Sequence, residues 1–339
     1  MAQQATLTKE RKAKKIGVGK IIGLFFAVLL TAAAVLFLIM THNWRDTPVE
    51  YDTTNAYITK LGETMVSAHR SGGGIFPENT MMAFEGCINS ESFKTDIYEF
   101  DLHITKDGEL ILLHDDTLDR TSNSEELFGV KNAKPEDYSY EELRRLNFGE
   151  NFTAADGSTP YKGLRGEAVP ENLKAAKLED VLDYLEANGG FSYIIEIKNG
   201  GELGRRAADK LYAILNGKGL LKKVIAGTFK QEITEYFDEK YPDMLRSAGI
   251  KEVLGFYFDS LTGREREKGF YKFDALQIPS NQYVIKLGTA RLINFAHKND
   301  IAVQYWTIND AEEIRRLQEI GADCVMSDVP DLAYSTINE

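Results

Sequence analysis

Cysteine is nearly absent: Cys87 and Cys324 are the only two in 339 residues. Thiols so far apart give neither the close pairs of a zinc site nor the framework of a disulfide-stapled domain. Two separate buried thiols are the simpler expectation, with a bridge permitted if the domain lies outside the cell. No low-complexity tract is present, and 43% hydrophobic residues supply the core of one large domain or two smaller ones. Basic charge is also scarce beyond the N-terminus. Residues 1–40 hold six Lys and Arg and one acidic residue, Glu10, which leaves 34 basic against 51 acidic residues and a formal charge of −17. A domain of that sign repels polyanions, which disfavours nucleic-acid binding through cationic phosphate contacts. Any phosphate it handles needs a local cation.

One long apolar run is present. Ile21 to Met40, IIGLFFAVLLTAAAVLFLIM, is uncharged and matches the thickness of a bilayer, so a transmembrane helix is expected over 21–40. A cleaved signal peptide would have a shorter apolar region; here Ala32, Ala33 and Ala34 lie mid-run with VLFLIM still to follow. Lys9, Arg11, Lys12, Lys14, Lys15 and Lys20 precede the run. Positive flanks stay in the cytoplasm, so residues 1–20 are expected inside and the C-terminal part outside the cell, in a single-pass arrangement. Residues 41–62, mixed and polar with Pro48, read as a stalk ahead of a domain over 63–339.

Within that domain strand-like runs recur: MVSAH, IYEFDL, ELILLH, YIIEI, VIAGTF, LGFYF, ALQIP, AVQYWTI and CVMSD. Helical patterns such as LEDVLDYLEAN and DAEEIRRLQEIGA lie between many of them, so the alternation predicts parallel strands with crossover helices. Eight units would close a (β/α)₈ TIM-like barrel, with ALQIP as the extra run. Only the turn-like TKDG separates IYEFDL from ELILLH, too short for a crossover helix. Residues 115–176, polar and glycine-containing, read as an insertion after the third strand.

Charged residues gather at strand ends. His69 and Arg70 end MVSAHR, Glu99 and Asp101 end IYEFD, His114 and Asp115 end ELILLHD, and Glu196 and Lys198 end YIIEIK. In a barrel these ends meet at the active-site face. Glu99 and Asp101 are two apart on a strand and share a side. With Glu196 they form an oxygen-only donor set suited to one hard divalent cation, calcium or magnesium. The plainer alternative pairs each carboxylate with Arg70 or Lys198. His69 and His114 are the natural acid–base pair, because imidazole titrates near neutral pH. Arg70 and Lys198 would hold the non-bridging oxygens of a phosphodiester.

The runs HRSGGGIFPENT (69–80), EFD (99–101), TKDGELILLHD (105–115), TLDRT (117–121), IEIK (195–198), YWTIN (305–309) and SDVP (327–330) resemble the glycerophosphodiester phosphodiesterase family, in order, across residues 65–333. The resemblance implies a barrel that hydrolyses glycerophosphodiesters to glycerol 3-phosphate and an alcohol, with a metal at Glu99, Asp101 and Glu196. It also implies His69 and His114 as catalytic groups, assigned here as base and acid in that order, and Arg70 and Lys198 as phosphate binders. It raises Glu78 to a substrate-binding candidate, and Trp306 could stack on the substrate, against the usual core role of a strand aromatic. Asn79 or Thr80 is expected to cap the following helix. His103 is expected in a supporting or packing role, His297 on the surface and His42 at the membrane interface. Ser71 stands where the family usually has glycine, which could narrow the pocket. Two other readings are a lyase forming a cyclic phosphate and a non-catalytic binder of glycerol-phosphate polymers. The anchor makes lipid head groups, lysolipids or a glycerol-phosphate polymer all reasonable substrates.

Overall fold

The computed structural model describes residues 18–42, 46–283 and 285–339. The basic cluster from Lys9 to Lys15 lies outside the described residues. Helix α1 (Val18–Thr41) has 24 residues, about 36 Å at the α-helical rise. Its stretch Ile22–Ile39, of mean hydropathy 2.8, has no part buried in the protein. It is long and apolar enough to cross a membrane.

The strands are β1 (Met65–Ala68), β2 (Ile97–Ile104), β3 (Leu110–Leu112), β4 (Ser192–Ile197), β5 (Val224–Gly227), β6 (Ala275–Ile278), β7 (Asn281–Gln282), β8 (Ile285–Lys286), β9 (Ala302–Tyr305) and β10 (Cys324–Ser327). Seven of them run in the parallel order β5-β4-β2-β1-β10-β9-β6. Between β5 and β6 the ring is completed by parallel bridges from Ala226 to Arg246 and from Ser247 to Ala275. The result is the expected barrel, with one stave reduced to two bridges.

Helices α2 (Met81–Ile88), α5 (Leu178–Ala187), α6 (Gly201–Lys218), α7 (Gln231–Lys240), α8 (Ile250–Thr262), α9 (Ala290–Lys298), α10 (Ala311–Glu319) and α11 (Pro330–Asn338) belong to the barrel, while α3 (Ser124–Phe128) and α4 (Tyr140–Leu143) are short helices of the insertion. Spacing decides which face each helix buries. In α5 the buried residues are Leu178, Val181, Leu182 and Leu185, the i, i+3, i+4, i+7 stripe of an amphipathic helix. The hydroxyl of Thr80 accepts the N–H of Ala83 and caps α2. The insertion has its own apolar cluster, including Leu118, Leu143, Leu146 and Phe148, packed beneath Ile111 of β3.

Four expectations are corrected here. The run LGFYF lies inside α8 and is not a strand, whereas ALQIP contains β6. Four large residues and one glycine carry no period that separates strand from helix; at the start of α8 the Glu252 carboxylate accepts the Gly249 N–H at 2.8 Å and closes the first turn. The run ELILLH forms β3, which pairs antiparallel with β2 as a hairpin and not as a parallel stave. His297 is 7% exposed, and its Nε2 meets Asp323 at 2.9 Å.

The segment expected as a stalk is strapped along the barrel from Asp46 onward. Asn294 exchanges hydrogen bonds with Thr47 and Val49. The Asp300 carboxylate accepts from Thr53, Thr54 and Asn55, and Asp323 accepts the Thr59 N–H at 2.8 Å. Tyr57, buried, plugs the barrel floor against Ile97, Ile194, Ile225 and Cys324.

Candidate active site

Alternation along the staves fills the barrel from floor to mouth. The same inward parity that puts Ile97 and Ile194 in the floor cluster carries Glu99 and Asp101 on β2, and Glu196 on β4 with Lys198 just past its end, to the mouth. Register places Asp101 opposite Glu196 and Glu99 opposite Ile194. There they line a cavity of about 390 Å³ together with His69, Arg70, His114 and Trp306.

After β1 the chain turns sharply through His69–Ser71, with Arg70 and Ser71 both left-handed at φ 48° and 63°. The turn aims the Arg70 N–H at Glu99 Oε2, 2.7 Å away. Ser71 is buried and lies outside the cavity lining, and its hydroxyl has no partner among the described residues. The departure from glycine therefore strains the backbone and does not narrow the pocket. Gly74 donates its N–H to the Asp328 carbonyl at 2.8 Å, so close that a Cβ there would lie 2.9 Å from the same oxygen.

Each histidine has an aspartate on Nδ1. His69 Nδ1 meets Asp328 Oδ1 at 2.6 Å, and Asp328 is itself held by the Asn309 amide at 2.7 Å. His114 Nδ1 meets Asp115 Oδ1 at 2.7 Å. In both rings Nε2 is left for other work, and that of His69 lies 3.9 Å from Glu99. From the insertion, Arg120 binds Asp115 through Nε at 2.6 Å and Glu78 through both terminal nitrogens. Glu78 also reaches Arg70 at 3.4 Å; it stands behind the arginine and does not line the cavity. Trp306 does line it, edge-on to Phe229 with ring centroids 5.9 Å apart. His103 is buried with neither ring nitrogen partnered among the described residues; burial pushes its pKa down to about 4, so it is neutral.

Charge is unevenly compensated. Lys198 Nζ sits 3.1 Å from Asp101 and 3.0 Å from Glu196. Burial would raise Asp101, but Lys198, His114 and the Asn79 amide hold it below the usual range. Glu99 has no such ammonium, and burial with the Asp101 charge raises its pKa. Burial also raises Glu196, against the pull of Lys198. For His69, burial favours the neutral ring, but Glu99 and Asp328 outweigh it and raise the pKa. Burial lowers His114, with Lys198 and Arg70 acting in the same direction. The surrounding fields thus push the two rings in opposite directions, His69 up and His114 down.

Could this donor set hold a divalent cation? Among the described residues no three His, Cys, Asp or Glu side chains already stand at ligating separations, and the Lys198 ammonium bridges Asp101 and Glu196. The chemistry fits nonetheless: three inward carboxylates, oxygen-only, with Glu99 short of positive charge. The Asn79 carbonyl, buried and unpartnered among the described residues, adds an oxygen beside Asp101.

Sequence reasoning missed three supporting residues. Asp115 was visible beside His114, and Arg120 and Asp328 lie in TLDRT and SDVP, but nothing in the chain signals which partner each one holds.

Comparison with known proteins adds an independent line. The model of the glycerophosphoryl diester phosphodiesterase family matches residues 69–332. A glycerophosphodiester phosphodiesterase of Bacillus altitudinis is 26% identical over 280 residues, 81% of this chain and 99% of that one. A putative glycerophosphoryl diester phosphodiesterase from Silicibacter pomeroyi superposes with a TM-score of 0.63 at 16% identity, covering 89% of this chain and 97% of that structure. A phosphodiesterase of Oleispira antarctica, solved with its product sn-glycerol-3-phosphate, superposes at 0.59 with 19% identity, covering 81% and 97%. At these identities the structures speak for the fold.

Proposed function

The chain belongs to the glycerophosphoryl diester phosphodiesterase family and is a phosphoric diester hydrolase; we propose that it cleaves glycerophosphodiesters to glycerol 3-phosphate and an alcohol through a two-histidine, cation-assisted reaction. The observation that carries this reading is the pair of Asp-supported imidazoles sharing one cavity with Arg70, Lys198 and the inward carboxylates.

In this reading one imidazole takes a proton from the water that attacks phosphorus, and the other gives a proton to the departing alkoxide. Asp328 and Asp115 fix the rings by accepting from Nδ1, which leaves Nε2 of each to face the substrate. Arg70 and Lys198 neutralise the non-bridging oxygens as charge grows on them. Glu99, Asp101 and Glu196 would hold one calcium or magnesium ion, which supplies Lewis-acid stabilisation of the phosphoryl oxygens. The Glu99 charge helps to raise the His69 pKa, and that pull would weaken if Glu99 shared its charge with a bound cation. Helix α1 acts as a single-pass membrane anchor with the barrel outside the cell; retention of the full-length, unshortened chain in the membrane after an alkaline wash tests this.

The decisive assay follows glycerol 3-phosphate release from glycerophosphocholine by the full chain, with calcium, magnesium or chelator. His114→Ala is expected to lose about 10²- to 10⁴-fold of the activity. A loss below about tenfold would remove His114 from the role. Phosphorus NMR showing an accumulating cyclic ester would replace hydrolysis by the lyase reaction.

A further inference from the structure

The strap that follows α1 has a direction. Asp46 lies 4.0 Å from Arg291 in the first turn of α9, Thr47 and Val49 bond Asn294 further along it, and Thr53 to Asn55 bond Asp300 just past its end. Helix α9 begins just after Leu287, which lines the cavity, and leads to Ala302 in the floor cluster. The strap therefore descends from mouth to floor, and the chain reaches the barrel from the mouth side. Thr41, the last residue of α1, and Asp46 are five residues apart, a reach of at most about 18 Å. Helix α1 also rests against β8 on the same rim. A membrane entered by α1 thus lies at the mouth end of the barrel.

Three segments of this rim carry the same pair of residue types. Phe229 and Lys230 follow β5, Ile250 and Lys251 open α8, and Ile285 and Lys286 form β8. Phe229 is 52% exposed, Ile250 55% and Leu254, one turn on, 51%; Tyr283, at the tip of the β7–β8 hairpin, is 95% exposed. Large apolar side chains gathered in water at one end of a barrel mark an interaction site.

The domain as a whole is acidic, yet each of these segments brings a lysine. Acidic residues close by in sequence are turned to internal partners: Glu252 holds Arg246 and the Gly249 N–H, and Glu232 accepts the Gly201 N–H. The rim therefore presents apolar and ammonium groups together, the combination that binds a bilayer with anionic head groups. An exposed tyrosine, apolar with a polar tip, suits the same boundary.

We propose that this rim, from Phe229 through the start of α8 to the β7–β8 hairpin, docks onto the bilayer that α1 enters. The apolar side chains seat about 5–10 Å into the head-group boundary, and the lysines meet anionic lipid. The proposal rests on the anchor reading and is independent of which diester is cleaved. Docking gives the barrel a second membrane contact and fixes an orientation that a single helix leaves free.

The test reads the depth of single labels on the full chain in lipid nanodiscs. Cys87 and Cys324 are buried, so an environment-sensitive fluorophore attaches selectively to a cysteine introduced at the surface. Tyr283→Cys and Lys251→Cys report the rim; neither position lines the cavity. Phe270→Cys, 55% exposed in the segment that leads from α8 to the start of β6, reports the floor end. Nitroxide lipids labelled near the head group are expected to quench most of the emission at 283 and 251 and little at 270, and aqueous iodide to do the reverse. Quenching at the rim should grow with the share of anionic lipid and weaken with added salt. Equal iodide quenching at all three positions, in a chain that resists an alkaline wash, would overturn docking and leave the anchor standing; a chain released by the wash would bring down both. Rim labels shielded from iodide yet untouched by nitroxide would mean that a protein covers the rim, which overturns the proposal as well.

Discussion

Asp328 holds His69 by a 2.6 Å contact between its Oδ1 and the imidazole Nδ1, across 259 positions of sequence. The aspartate is fixed in turn by Asn309, which donates its amide to Oδ2 and accepts the Asp328 N–H through its carbonyl. The YWTIN and SDVP segments thus serve a residue at the opposite end of the domain.

Asp328→Asn keeps the shape of this contact and removes its charge. Because Asp328 helps to raise the His69 pKa, the limb of the kcat/KM profile that reports His69 should move to lower pH. The rate at its optimum should fall about 10- to 100-fold, the range seen when a supporting partner of a working histidine is lost. An unmoved limb would mean that His69 is not the titrating group.

Glu99 has its pKa raised by burial and by Asp101. A carboxyl with a raised folded pKa weighs nothing against folding below the unfolded carboxylate range, and its ionisation lowers stability as pH climbs through the folded value. The cation-free protein should therefore lose stability relative to Glu99→Gln between mildly acidic and alkaline pH, as measured by thermal unfolding. Calcium or magnesium at a hundredfold excess over Kd should stabilise the wild type by about 2.7 kcal/mol, and Glu99→Gln far less. Equal stabilisation of both would displace the cation from this site.

Ser71→Gly relieves a left-handed residue and deletes a buried hydroxyl unpartnered among the described residues. The expected gain is about 1 kcal/mol, read from denaturant midpoints. Activity should be nearly unchanged, because the side chain does not line the cavity.

Tyr57→Ala empties the barrel floor where Tyr57 meets Ile97, Ile194 and Ile225. Removal of a buried aromatic costs about 3–5 kcal/mol, and chemical denaturation should show a loss in that range. A change below about 1 kcal/mol would mean that the floor closes without the ring.

The charged mouth was legible because β2 and β4 keep strict alternation: Glu99, Asp101, Glu196 and Lys198 fall on the inward parity at the ends of apolar runs. LGFYF and ALQIP were exchanged because a short apolar run is the same signal for strand and helix, and the capping contact of Glu252 on Gly249 lies outside the run. His297 was placed at the surface because the helical pattern around it shows nothing of Asp323, which comes from beyond α10. Tyr57 sits in a polar stretch whose sequence gives no hint that one ring turns inward. Periodicity reports which way a residue faces within its own element; it is blind to what another part of the chain brings to meet it.

The strap also fixes where the polypeptide can be severed. A protease cutting just past α1 would shed a barrel that keeps its floor plug and its clamps at Asp300 and Asp323. A cut some twenty residues later, at the start of β1, would pull Tyr57 from its socket and strip the Thr59 N–H from a fully buried carboxylate. A form of the enzyme cut free of α1 must therefore begin ahead of Thr53 to keep all of these contacts, and shorter fragments should fall to degradation.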